Sequence, residues 1–250
     1  MMANKLKKVL FVIVEGESDG LLFFDELEKV YPKDLLVIKA FRGDIFTQLE
    51  LQGVGIRDRI RDFFISKIGD LQPKDFLGIL HFSDTDGSFV SEDKVFVDLA
   101  QKETILYKND GIYVNTIDQK LSIHHRNQIK KANTNNAKYI THITYKKVQI
   151  PYSLFYLSQE VEHVIFDELN VSQNLKIRKM VTFLKKVRET QTINNLLKSH
   201  FPPLAEEVTD KYKESWDFIF NADHSLQRCT NAILMYEYID QLLSPASDLN

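Results

Sequence analysis

The stretch "FVIVEGESDG", residues 11–20, decides the fold and sets two residues in competition for the function. It closes the run "KKVLFVIVE", near-continuously apolar and rich in β-branched residues, the pattern of a strand buried on both faces. The run stops at Glu15. Parsed as Gly16-Glu17-Ser18-Asp19-Gly20, the next residues are a literal G-x-S-x-G, the elbow that carries a serine nucleophile. Parsed as Val14-Glu15-Gly16, they leave a carboxylate standing at the end of a buried strand.

Outward from this stretch, strand and helix alternate. Ser18 is placed to cap a helix through "DGLLFFDELEKVY", which Pro32 ends. "DLLVIKAF" reads as a second strand, and the residues up to Ile68 as a helix with Ile60, Phe63, Phe64, Ile65 and Ile68 on its apolar side. "DFLGILHFSDTDG" is a third apolar run, ending in acids and a glycine turn. "TILYKNDGIYV" predicts a hairpin around Asn109-Asp110-Gly111. The alternation points to an α/β fold with a mainly parallel sheet flanked by helices over residues 1–150. Residues 151–250, including "YSLFYLSQEVEHVIFDEL", favour helix and read as a helical C-terminal region.

Net charge is −3 over 250 residues, but it is unevenly spread. No acid lies between Asp118 and Glu160, a stretch holding Lys120, Arg126, Lys130, Lys131, Lys138, Lys146 and Lys147. A second acid-free stretch, between Glu168 and Glu189, holds Lys176, Arg178, Lys179, Lys185, Lys186 and Arg188. Such asymmetry is the footprint of a polyanion-binding face. Nucleic acid, DNA or RNA, is therefore the expected partner. Arg126, Lys130, Lys131, Lys138, Lys146 and Lys147 would meet its phosphates, and Tyr139, Tyr145, Tyr152 and Tyr156 would stack on bases or fill the core. The N-terminal apolar run is too short for a membrane span or a signal core. The single cysteine, Cys229, allows no internal disulfide and fits a reducing cytoplasm.

In an open parallel sheet, ligands bind outside the carboxyl ends of the strands. Glu15 ends one apolar run, and Asp84 and Asp86 end another. On neighbouring strands, the three carboxylates would converge and repel unless a cation neutralised them. Mg²⁺ or Mn²⁺, hard and oxygen-seeking, is the natural partner.

"IVEGESD" followed by "ILHFSDTDG" resembles the TOPRIM domain of topoisomerases, primases, small ribonucleases and OLD-type nucleases, over roughly residues 8–115. The resemblance implies a Rossmann-like TOPRIM fold, Mg²⁺, and chemistry on phosphodiester bonds. It makes Glu15 the acid/base or metal-linked glutamate and Asp84 and Asp86 metal ligands. Several family members carry a further acid two residues after the D-x-D, where this chain has Ser88. OLD-like nucleases often complete the site with a downstream glutamate; Glu160 and Glu162 stand in that region, and Glu162 is the expected ligand. No strand-cleaving tyrosine stands in a recognisable context. The expectation is thus a metal-dependent nuclease, similar to small effectors of bacterial anti-phage defence that work beside a separate ATPase. Self-association into a homo-oligomer is left open.

Two alternatives come from other classes. The first is a catalytically degenerate TOPRIM module that only binds nucleic acid or serves as a scaffold, which Ser88 favours. The second is a serine esterase using Ser18, with chain order permitting Ser18…Asp84…His124. Against the esterase, only 14 residues precede Glu15 and no oxyanion segment of the "HGGG" kind exists.

Overall fold

The computed structural model describes residues 7–48, 51, 53–190, 193–221 and 223–244. Strand β1 (Lys8–Val14) is the hub of a five-stranded sheet. It pairs in parallel with β2 (Leu36–Arg42) on one side and with β3 (Phe76–Asp84) on the other. The chain reaches β2 through helix α1 (Glu17–Val30) and β3 through α2 (Ile56–Lys67). Next come a short strand β4 (Val95–Val97), the hairpin β5 (Ile105–Lys108) and β6 (Gly111–Val114), and the long helix α3 (Ile117–Ala137). Strand β7 (His142–Tyr145) then turns into β8 (Val148–Leu157). β8 joins β3 in parallel, and β7 closes the edge antiparallel, giving the order β2-β1-β3-β8-β7.

Alternation along β1 explains the layering. Phe11 and Ile13 face a core shared with α2, the end of α3 and helix α7 (Lys211–Phe220). Leu10, Val12 and Val14 face a second core shared with α1 and helices α4 (Val161–Phe166), α5 (Gln173–Thr190), α6 (Asn194–Ser199) and α8 (Leu234–Leu243). Both faces are covered, as a parallel sheet requires. "YSLFYL", expected as helix, is instead the inner half of β8: a short apolar run buried on both faces carries no period that separates strand from helix. The division drawn at residues 150 and 151 therefore runs through a strand. The C-terminal helices form no separate unit, because Trp216 and Met235 belong to the sheet's own two cores.

The expected hairpin is present, with Lys108 opposite Gly111 across a two-residue turn. It forms a second sheet, ordered β4-β6-β5, over Val90, Val95, Ile112, Val114 and Ile123. Gly111 lies so close to β4 that a β-carbon there would overlap the Lys94 carbonyl oxygen and the Phe96 ring. Gly111→Ala is expected to cost about 1–3 kcal/mol, seen as a lower urea midpoint.

Candidate functional site

β1 and β3 are neighbours, yet the chain leaves β1 toward opposite flanks, to β2 first and to β3 later. This is a topological switch point, where a crevice opens outside the strand ends. Glu15, the first residue past β1, and Asp84, the last of β3, both sit there. β8 adds a third carboxyl end beside β3.

The loops after β3 and β8 are hydrogen-bonded to each other. Thr85 N–H donates to Leu157 O and Asp86 N–H to Gln159 O, both at 2.9 Å, and Gln159 N–H donates to Thr85 Oγ1 at 2.7 Å. Asp86 and Gln159 hold positive φ angles of 48° and 55°, a strained backbone of the kind that clusters at functional sites. Ser88 is buried and its hydroxyl donates to the Thr85 carbonyl, closing the same turn.

Charges are packed tightly around this junction. Glu15 Oε1 accepts from Ser83 Oγ at 2.6 Å, and Oε2 from Lys130 Nζ at 2.8 Å. Lys130, fully buried on α3, also bonds Asp86 Oδ2. Arg126, one turn earlier, donates to the Asp86 carbonyl at 2.8 Å and to Tyr107 Oη at 2.8 Å. Asp19 accepts the Gly16 N–H at 2.7 Å. Glu162 is 1% exposed, and neither of its carboxylate oxygens has a hydrogen-bond partner; the same holds for Asp84 Oδ1. Lys176, on α5, bonds Glu160 and lies 3.2 Å from Glu162 Oε2 without hydrogen-bond geometry.

The electrostatics follow from burial. Burial pushes Glu15 up to about 8, against the pull of Lys130. Burial likewise raises Asp19 to about 6, with Glu162 adding to the effect, and lifts Asp84 well above the carboxylate range, with Asp19, Glu15 and Asp86 adding. Asp86 goes the other way: burial opposes ionisation, but Lys130 and Arg126 together hold it below the usual value. Burial works against the charge of Lys130, and Asp86 and Glu15 more than offset it, so Lys130 stays protonated.

The structure thus brings Glu15, Asp84 and Asp86 together, and leaves Glu160 Oε1 and both oxygens of Glu162 without a hydrogen-bond partner, with Lys176 against both residues. It adds three residues the sequence reading missed: Asp19, Lys130 as an ion-pair partner, and Lys176. Among the described residues no group of three or more Asp, Glu, His or Cys side chains forms a ready metal cage. Lys130 already takes Glu15 and Asp86. What remains is a donor set of orphaned oxygens on Asp84 and Glu162, with Asp19 electrostatically coupled to both. A Mg²⁺ ion keeps several waters and needs only one or two carboxylates, and Asp84 Oδ1 and Glu162 Oε1 are oxygens left with neither a hydrogen bond nor an ion pair.

The expected phosphate-binding residues do not form one face. Lys130 is buried in the site, and Lys138 is buried against Asp217 and the Phe220 ring. Lys146 and Lys147 are exposed at the β7–β8 turn, at the opposite end of β8 from the carboxylates. Only Arg126 and the exposed Lys131 remain on the site's side of α3, Arg126 being half-buried. Tyr145, Tyr152 and Tyr156 are core residues, and Tyr139 alone is exposed.

Ser18 does not cap α1. Gly16 is the cap residue, and Asp19 satisfies its N–H, the acid three residues on doing the work expected of the serine. Ser18 is buried inside the first turn, and among the described residues no histidine bonds it. The serine–histidine pair an esterase needs is not assembled. No described helix is long and apolar enough to cross a membrane. No family model, curated protein or solved structure matches the chain.

Proposed function

We propose that the protein is a divalent-metal-dependent nuclease with a TOPRIM-like fold that hydrolyses phosphodiester bonds of DNA or RNA. One observation carries the reading: the buried Asp84 Oδ1, at the switch point of a parallel sheet, has no donor, and Glu162 Oε1 beyond the Lys176 ion pair has none either. Buried polar groups are almost always paired, so orphaned acids imply a partner that is a cation. The order of Glu15 and the Asp84-x-Asp86 pair along the sheet supports the family assignment.

Asp84, with Glu162 through Oε1, would hold the ion, and waters would complete its shell. Bound there, a divalent cation supplies polarisation of a phosphate oxygen and a more acidic water. Glu15, titrating near neutrality, is the group that exchanges a proton with the reacting oxygens. Lys130 fixes Glu15 and Asp86 in place, and Lys176 offers positive charge beside the acids, where a phosphate would approach. Placement beside a separate ATPase in an anti-phage system rests on the family resemblance alone.

The test is incubation with plasmid DNA and with total RNA, in Mg²⁺, in Mn²⁺ and in EDTA. Cleavage is expected with metal only, and Glu15→Gln or Asp84→Asn is expected to lower it by about a hundredfold or more. A second reading, the non-catalytic binding module, is favoured by Lys130, which neutralises Glu15 and Asp86 without any ion. Binding without cleavage under every metal condition would select that module.

A further inference from the structure

The second acid-free stretch, which the catalytic reading leaves unused, folds into α5 beside the carboxylate cluster. Lys176 anchors the helix there through Glu160. Beside Lys176, the residues Leu175, Arg178, Lys179, Thr182, Phe183 and Lys186 share one face, at the i, i+3, i+4, i+7, i+8, i+11 spacing that normally buries an apolar stripe. Here that face lines an open groove of about 390 Å³ closed by Phe166. Its floor is apolar: Phe166 and Phe183 meet edge to face with centroids 5.4 Å apart, and Leu175 is 45% exposed. Its rim is basic, and its one acid, Glu168, is held by Lys179.

The groove is joined to the cluster by two short paths. Phe166 lies four residues after Glu162 on α4, one helical turn. Phe183 lies seven residues after Lys176 on α5, about 10 Å along the axis. An apolar groove with aromatic rings in its floor and cations on its edge, one turn from the proposed phosphodiester site, matches one occupant by chemistry and charge: a base stacked on an aromatic ring of that floor, with its flanking phosphates on the rim. A duplex keeps its bases stacked on one another and cannot offer one without flipping it out.

Resting on the nuclease reading for its neighbour, we infer that the α4–α5 groove binds an unpaired base and that the substrate is single-stranded nucleic acid. Binding is measured in EDTA, where no cleavage occurs, by fluorescence anisotropy. The probes are labelled oligodeoxyuridylate, labelled oligouridylate and a duplex of equal length. Both single strands are expected to bind about tenfold or more tighter than the duplex. Phe183→Ala is expected to weaken single-strand binding about tenfold. Arg178→Glu, on an exposed position that packing does not need, is expected to do the same and to flatten the salt dependence. Lys67→Glu, exposed on α2 and so on the opposite face of the sheet from α5, serves as the charge control and is expected to leave binding unchanged.

Equal or tighter binding of the duplex overturns the inference, as does an Arg178→Glu variant that binds like the wild type. A preference for only one of the two single strands keeps the groove and assigns the sugar. The two readings fail separately. Single-strand binding lost in the groove variants, with no metal-dependent cleavage, sinks the nuclease and leaves the groove. Cleavage with unaltered binding in those variants does the reverse.

Discussion

Lys130→Met is expected to destabilise the protein by about 3–5 kcal/mol, the cost of breaking a buried ion pair by deleting one partner. The lysine side chain is 0% exposed and Glu15 11%, so water cannot replace the ammonium. Deletion leaves Glu15 and Asp86 facing each other, with the charges of Asp44 and Asp84 nearby. Methionine matches the stem in volume, which isolates the charge from the packing. The double variant Lys130→Met/Asp86→Asn is expected to recover a large part of the loss, because Asp86 is the carboxylate the lysine holds ionised, whereas Glu15, raised to about 8, takes up a proton at neutral pH. Urea midpoints of the wild type, the single variant and the double variant measure both effects. A single-variant loss below about 1 kcal/mol would show that the cluster is solvated rather than held by Lys130.

The second large effect is a fall in stability on the alkaline side of neutrality in metal-free buffer. Glu15 is raised from 4.5 to about 8, so the folded state holds its proton more tightly than the unfolded chain does. The stability this contributes is fully present below pH 4.5 and is lost as pH rises through 8. Asp84, also raised, acts in the same direction, and Asp19, raised to about 6, has mostly finished by pH 6.5. Three groups oppose them at lower pH. Burial lowers His81 to about 3 and also lowers His163 and His200, so these histidines favour the folded state as pH climbs toward 6.5. Between pH 6.5 and 8 that opposition fades, because the histidines are half protonated in the unfolded chain at 6.5 and neutral by 8, and the acids act alone above about pH 7.5. Glu15 by itself is expected to remove about 1.5 kcal/mol from pH 6.5 to 8, at 1.36 kcal/mol for each pKa unit. Denaturation curves across the window check this. Glu15→Gln should flatten the slope, and millimolar Mg²⁺ should raise stability most at the alkaline end, where the carboxylates it binds are ionised. Stability that is level or rising from about pH 7.5 to 9, where the histidines are neutral in both states, would contradict the burial of these acids.

Much of this arrangement was legible in residues. β1, β2 and β3 announced themselves as apolar runs, and the acids that end β1 and β3 followed from where such runs stop. What escaped has a physical cause in each case. β8 is apolar on both faces, so its pattern carries no period. Asp19 sits inside the opening stretch, but its role depends on the Gly16 backbone, and glycine gives no side-chain sign of a cap. Lys130 was grouped with surface lysines by charge alone. Its spacing held a better signal: Ile123, Asn127, Lys130, Thr134 and Ala137 recur at alternating four and three residues, and all are buried. A lysine on such a stripe is an internal ion-pair residue until shown otherwise. The basic face between Asp118 and Glu160 dissolved because its lysines are distributed over a helix, a helix end and a distant turn, which linear charge counting cannot separate. α5 kept its charge together because one helix face holds it.

The hydrogen-bonded seam between the loops after β3 and β8 also fixes an order in time. Glu15, Asp84, Asp86 and Lys130 are all synthesised before β8, yet the seam that seats Asp86 needs Leu157 and Gln159. Glu162 and its neighbour Lys176 emerge later still. A ribosome-bound chain that ends short of β8 therefore carries the first acids and their lysine without the strand that locks them. The charge-balanced site comes into being only once the chain has grown past Lys176, so a product that ends before β8 is expected to lack it.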